Sequence, residues 1–202
     1  SEDADRRMKS CFAVAADSGD PTEQTAAVKL VARNGSFGIP MEEFRRLLEG
    51  ASHPPLVWAC LEGLSRQGAT EEAVRWVTTH LDREALDIAS CYKSASVGRG
   101  KQPWTDDDLK VIRHLLVNQP LEVPSAIDFT SMNRYDRVFP NECAGELRDF
   151  LRRQSQGTGR SSWEKVEHVK VGGTDGSNAS RLAQCLALLD SLKADEDIPL
   201  LK

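Results

Sequence analysis

The residue types that could bind metal or move protons in this chain are four histidines, five cysteines and one run of aspartates. His53, His80, His114 and His168 stand at no spacing from a cysteine or carboxylate that would close a zinc shell. Asp106-Asp107-Asp108 invite a cation, but they open a predicted helix, where the helix dipole alone accounts for acidic residues. Gly172-Gly173-Thr174-Asp175-Gly176-Ser177 precedes a helix and suits a phosphate, yet it lacks the lysine and the spacing of a P-loop. There is no nucleophile elbow, no HExxH and no dinucleotide fingerprint. The expectation is a non-enzymatic protein that needs no cofactor and no metal to fold.

Two binding chemistries remain. Arg148, Arg152, Arg153, Arg160, Lys165 and Lys170 gather with Trp163 in a Gly/Ser-rich region. Cations beside an aromatic ring suit a single strand of RNA, which needs phosphate neutralisation and a stacking surface. Glu146, Asp149, Glu164 and Glu167 cancel part of that charge, as they would on a solvated helix end. The other chemistry is a protein partner held by helices, and this is the favoured reading, with RNA as the alternative.

Composition sets the bounds. A chain of 202 residues is long enough for a substantial core, and its net charge of −5 gives no broad attraction to nucleic acid. It begins with Ser rather than Met, which points to a processed chain or an excised fragment. No apolar run approaches the roughly 18–20 residues that span a bilayer. Cys11, Cys60, Cys91, Cys143 and Cys185 are far apart, odd in number, and set in apolar helical contexts. They read as buried free thiols of an intracellular protein. In that setting the sequon at Asn178 has no consequence.

The elements that would position a site are helices. Residues 55–81 read as two short helices around which the chain is organised. Val57, Cys60, Leu61 and Leu64 form one apolar stripe, Gly68 ends the first helix, and Thr70 caps the second. Ala73, Trp76, Val77 and His80 continue the stripe. Before this pair, a helix over 6–16 groups Met8, Cys11, Phe12 and Ala15. Asp20-Pro21-Thr22-Glu23 starts the next, about 21–33, with Ala27, Val28, Leu30 and Val31 inward. A third, about 40–50, turns Met41, Phe44, Leu47 and Leu48 to the core.

After the pair, Asp82 is expected to cap a helix over 83–94. Thr105 and Asp108 form a capping box for one carrying Leu109, Ile112, Leu115 and Leu116. Residues 120–140 hold prolines and no sustained period, so they read as an irregular connector. Helices resume at 141–153, with Leu147, Phe150 and Leu151 apolar, and at 178–193, with Leu182, Cys185, Leu186 and Leu189. Val166, Val169 and Val171 leave a short strand or a loop open.

Leu64, Gly68 and Glu71-Glu72-Ala73 give residues 55–81 a pattern that resembles a helical-hairpin repeat of the pentatricopeptide or tetratricopeptide kind. The spacing of Gly35 and Gly68 is close to the repeat length of these families. The resemblance implies stacked antiparallel hairpins, α-solenoid-like, with a concave surface for a peptide or helix. In RNA-reading pentatricopeptide repeats a polar residue early in the first helix reads the base. Ala59, at the matching position, has no base-reading group.

The expected organisation is therefore all-α, with a hairpin region over 1–119 and a connector plus C-terminal helices over 120–202, packing on the same domain. Trp58 lies about 110° from the centre of its helix's stripe at 100° per residue, on the side of Glu62 and Ser65. It either fills the seam against the next hairpin or anchors a partner, and these three residues are the expected partner-binding set.

Overall fold

Helix-start and helix-stop residues punctuate this sequence, and the computed structural model shows which of them are used. The structure describes residues 2–33, 39–99, 102–127, 139–157 and 183–188. All regular elements among the described residues are helical, so the protein is all-α. Contacts divide the chain into two units, Ser1–Gln102 and Pro103–Lys202.

The first unit holds α1 (Glu2–Ala16), α2 (Pro21–Arg33), α3 (Met41–Gly50), α4 (Pro54–Arg66), α5 (Thr70–Thr78) and α6 (Ile88–Ala95). At the start of α2 the Thr22 N–H donates to the Asp20 carboxylate at 2.8 Å, and Pro21 removes an N–H that would otherwise lack a partner. α4 is the hub, packing against α2, α3, α5 and α6. Four neighbours bury much more than one stripe. Leu56, Ala59, Gly63 and Ser65 are enclosed along with Val57, Cys60, Leu61 and Leu64. Gly68 ends α4 at φ +94, where the Ala69 N–H reaches the Leu64 carbonyl at 3.0 Å and the Gly68 N–H the Ser65 carbonyl at 3.1 Å. This paired closure needs a left-handed residue at Gly68, which glycine adopts without a Cβ clash.

Several local expectations need correction. Thr70 is the first residue of α5 rather than its cap, and it is buried with its hydroxyl donating to the Ser65 carbonyl at 3.2 Å. The buried face of α5 is Ala73, Val74 and Val77. Trp76 is half-buried and stacks on His80 beyond the helix end, ring centroids 3.9 Å apart. The helix expected from 83 starts only at Ile88. Asp87, not Asp82, caps it, accepting from the Ser90 N–H at 3.3 Å and the Ser90 hydroxyl at 2.6 Å.

In the second unit α7 (Asp106–Asn118) packs against α9 (Ala144–Gly157). Between them lie a 3-10 turn (Pro120–Glu122), the short α8 (Val123–Ala126) and a 3-10 turn (Asn141–Cys143). Residues 120–126, expected to be irregular, are thus partly helical. The capping box of α7 is formed: the Asp108 N–H donates to the Thr105 hydroxyl at 3.3 Å, and the Thr105 N–H to the Asp108 carboxylate at 2.7 Å. Val111, Ile112, Leu115, Leu116, Leu147, Phe150 and Leu151 are buried. Residues 183–188 are helical, and the Cys185 thiol lies 3.5 Å from the Pro120 carbonyl. The second unit begins at Pro103 and so includes α7. Leu182, Leu189 and the valines from 166 to 171 lie outside the described residues.

Candidate partner-binding site

The face of α4 expected to hold a partner is largely enclosed. Ser65 is 1 % exposed, with its hydroxyl 3.1 Å from the Thr70 hydroxyl and accepting the Gly98 N–H at 2.8 Å. It joins the end of α4 to the start of α5 and to the segment after α6, and it presents nothing to a partner. Periodicity placed Ser65 off the apolar stripe but could not show that a later segment would cover it. Glu62 is half-buried and pairs with Arg66 at 2.8 Å. Trp58 is half-buried, and its enclosed indole N–H faces the Cys91 thiol of α6. Its position is the α4–α6 seam.

The basic set is only partly within reach. Arg148 is half-buried on α9, and Arg152 and Arg153 are exposed, Arg152 being 3.4 Å from Asp149. Arg160, Trp163, Lys165 and Lys170 lie outside the described residues. Among the described residues no group of three or more histidines, cysteines, aspartates or glutamates is placed to hold a metal ion. Asp108, one of the three aspartates, is wholly buried as the capping partner of Thr105. Nor is any helix among the described residues long and apolar enough to cross a membrane.

The open site is elsewhere, between α1 and α2. Phe12 and Ala16 of α1 and Val28, Val31 and Ala32 of α2 are buried in the unit, and Phe12 packs on Phe44 of α3 with ring centroids 6.1 Å apart. The rest of the two apolar stripes is only partly covered: Met8, Ala15 and Ala27 are half-buried, and Cys11 and Leu30 are exposed. Met8, Cys11 and Ala15 form one wall of a groove of about 330 Å³, and Ala26, Ala27 and Leu30 form the other. Leu30, expected in the core, is 46 % exposed. Glu23 also lines the groove and makes no ion pair among the described residues.

Cys11 is the second correction on this face. It is exposed, whereas Cys60, Cys91, Cys143 and Cys185 are buried free thiols. Burial pushes Cys60 up to about 12 and Cys143 up to about 11 from an ordinary 9.0. Burial does the same to Cys91, up to about 12, with the Trp58 indole N–H opposing it, and to Cys185, up to about 12. These thiols are poor nucleophiles at neutral pH, which leaves Cys11 as the accessible one.

Leu30 and Cys11 were legible as members of apolar faces, but nothing in the periodicity shows which part of a face a neighbour covers. Apart from Glu23 and the Cys11 thiol the lining of the groove is apolar, so what it offers is chiefly shape and apolar surface. Comparisons with protein-family models, with curated proteins and with solved structures find no match for this chain.

Proposed function

We propose that the chain is a non-enzymatic α-helical scaffold that holds a partner protein in the groove between α1 and α2. The carrying observation is that two apolar stripes continue past the residues they bury and leave Met8, Cys11, Ala27 and Leu30 around an open groove. A helix of the partner laid there would complete three-helix packing, with its own apolar side chains between the two walls. The flexible thioether of Met8 suits a surface that must adapt to such side chains.

Adjacency within the first unit supports a repeat-like stack, since α2, α4 and α6 are neighbours in succession. The buried free thiols fit an intracellular setting. The test is capture of partners from cell extract by the parent protein and by Leu30→Glu, each with and without nuclease. Capture that is lost in Leu30→Glu, survives nuclease and persists at raised salt is the expected result. If nuclease removes the captured protein, RNA becomes the partner; if Leu30→Glu captures the same set, the groove is not the site.

A further inference from the structure

Resting on the groove reading, we infer that the partner is an amphipathic helix with basic residues, placed so that a lysine or arginine meets Glu23 while an apolar side chain covers Leu30. Glu23 is the one charged residue lining an otherwise apolar groove, and it makes no ion pair among the described residues. Several other carboxylates of this unit are matched. Glu72 holds Arg45 at 2.6 and 2.7 Å, and Asp17 and Glu43 hold Arg46 at 3.0 and 2.9 Å. A lone carboxylate beside apolar walls repels an acidic partner and attracts a basic one, so it sets both specificity and orientation.

The spacing makes the requirement concrete. Glu23, Ala26, Ala27 and Leu30 lie along one face of α2, and seven residues at 1.5 Å each put Glu23 and Leu30 about 10 Å apart along the axis. A partner helix running beside α2 meets both if its cation lies two turns from the apolar residue over Leu30. Small residues, Ala26 and Ala27, stand between them and let a backbone come close.

Cys11 supplies the readout, because it lines the groove and is the exposed thiol among five. Two short amphipathic model helices serve as probes, one built from leucine and lysine, the other from leucine and glutamate. The rate of Cys11 alkylation is measured with each probe, alongside fluorescence anisotropy of the labelled probe. We expect the leucine–lysine helix to slow alkylation by about tenfold at saturation and the leucine–glutamate helix to have little effect. Glu23→Lys should exchange that preference, and Leu30→Glu should weaken both probes. Glu84→Lys, at an exposed position in the segment before α6, makes the same change in net charge and should alter nothing.

Equal losses in Glu23→Lys and Glu84→Lys would mean that only the overall charge of −5 attracts the probe, and would overturn the inference while leaving the groove intact. Absence of protection by the leucine–lysine helix would overturn it as well. Binding that is indifferent to Leu30→Glu would instead remove the groove reading itself. Alkylation that slows with protein concentration alone would make a second copy of the chain the occupant, and the inference would fall. Circular dichroism of each variant separates these outcomes from loss of fold.

Discussion

Gly63 tests whether α3 and α4 pack as closely as the hub position of α4 requires. A Cβ at Gly63 would stand 2.5 Å from Cε1 and 2.6 Å from Cδ1 of Phe44. Carbon atoms in contact prefer about 3.5–4.0 Å, so the ring must move by roughly 1 Å. Phe44 is 0 % exposed and packs on Phe12, so the ring has no open space to retreat into. Overpacking of this kind costs about 1–3 kcal/mol, while replacing glycine by alanine inside a helix returns about 1 kcal/mol. A displacement this large belongs in the upper half of the first range, so Gly63→Ala should lose about 1–2 kcal/mol. The first unit should then melt on the order of 10 °C lower.

The control is Gly145 on α9, where a Cβ would meet nothing within 4 Å. There the same substitution should raise the stability of the second unit by up to about 1 kcal/mol. Urea denaturation followed by circular dichroism measures both, and Phe44→Leu should relieve the strain. The double variant Gly63→Ala/Phe44→Leu should therefore be more stable than the sum of its parts by about 1 kcal/mol or more. If Gly63→Ala were as stabilising as Gly145→Ala, the close approach of α3 and α4 would be refuted.

Three further outcomes are expected. Ser65→Ala removes the acceptor of the Gly98 N–H in a part-buried bond and should cost about 1 kcal/mol by the same denaturation assay, with Ser65→Thr or Ser65→Cys showing whether a polar atom rescues it. Thr105→Ala removes the hydroxyl half of the α7 capping box and should cost about 1 kcal/mol, read in the second unit alone if the two units unfold separately. For the buried thiols the sign follows from ionisation: folding keeps Cys60, Cys91 and Cys185 protonated to about 12, whereas the unfolded chain gives up these protons near 9.0. The unfolded state binds fewer protons in that window, so stability should fall as pH rises through it. Denaturation midpoints at pH 8 and pH 10, with stopped alkylation reporting each cysteine, check both the slope and the priority of Cys11.

Helix starts were legible where a side chain or a ring makes the local contact. Asp20 and Pro21 mark α2, and Thr105 with Asp108 marks α7, because each motif satisfies N–H groups within three residues of itself. The α6 start was not, although an aspartate stood at both Asp82 and Asp87. Leu86 and Ile88 are both buried, so apolar spacing could not say which side of the cap Leu86 lies on. The burial of Ser65 on α4 was not legible for a different reason. Ser65 is covered through Gly98, thirty-three residues later, and nothing near Ser65 in sequence carries that information.

Face membership and coverage are separate physical facts, and the groove exists in the gap between them. Periodicity fixes which side chains of α1 and α2 point the same way, because 3.6 residues per turn is a property of the backbone. Coverage depends on how many helices the rest of the chain brings alongside. α4 has four neighbours and is enclosed well beyond its stripe, so even a serine is buried there. On α1, Phe12 and Ala16 are buried while Cys11, on the same stripe, is exposed. A stripe that outruns its own cover either tolerates exposed apolar groups or is completed from outside. Placing Leu30, 46 % exposed, across a groove from Met8 and Cys11 concentrates that surface in one concave place. Scattered exposed leucines need no explanation, whereas apolar surface gathered into a groove is the observation on which the proposed partner site rests. Under the proposed reading, Glu23 in that groove selects helices that carry a cation.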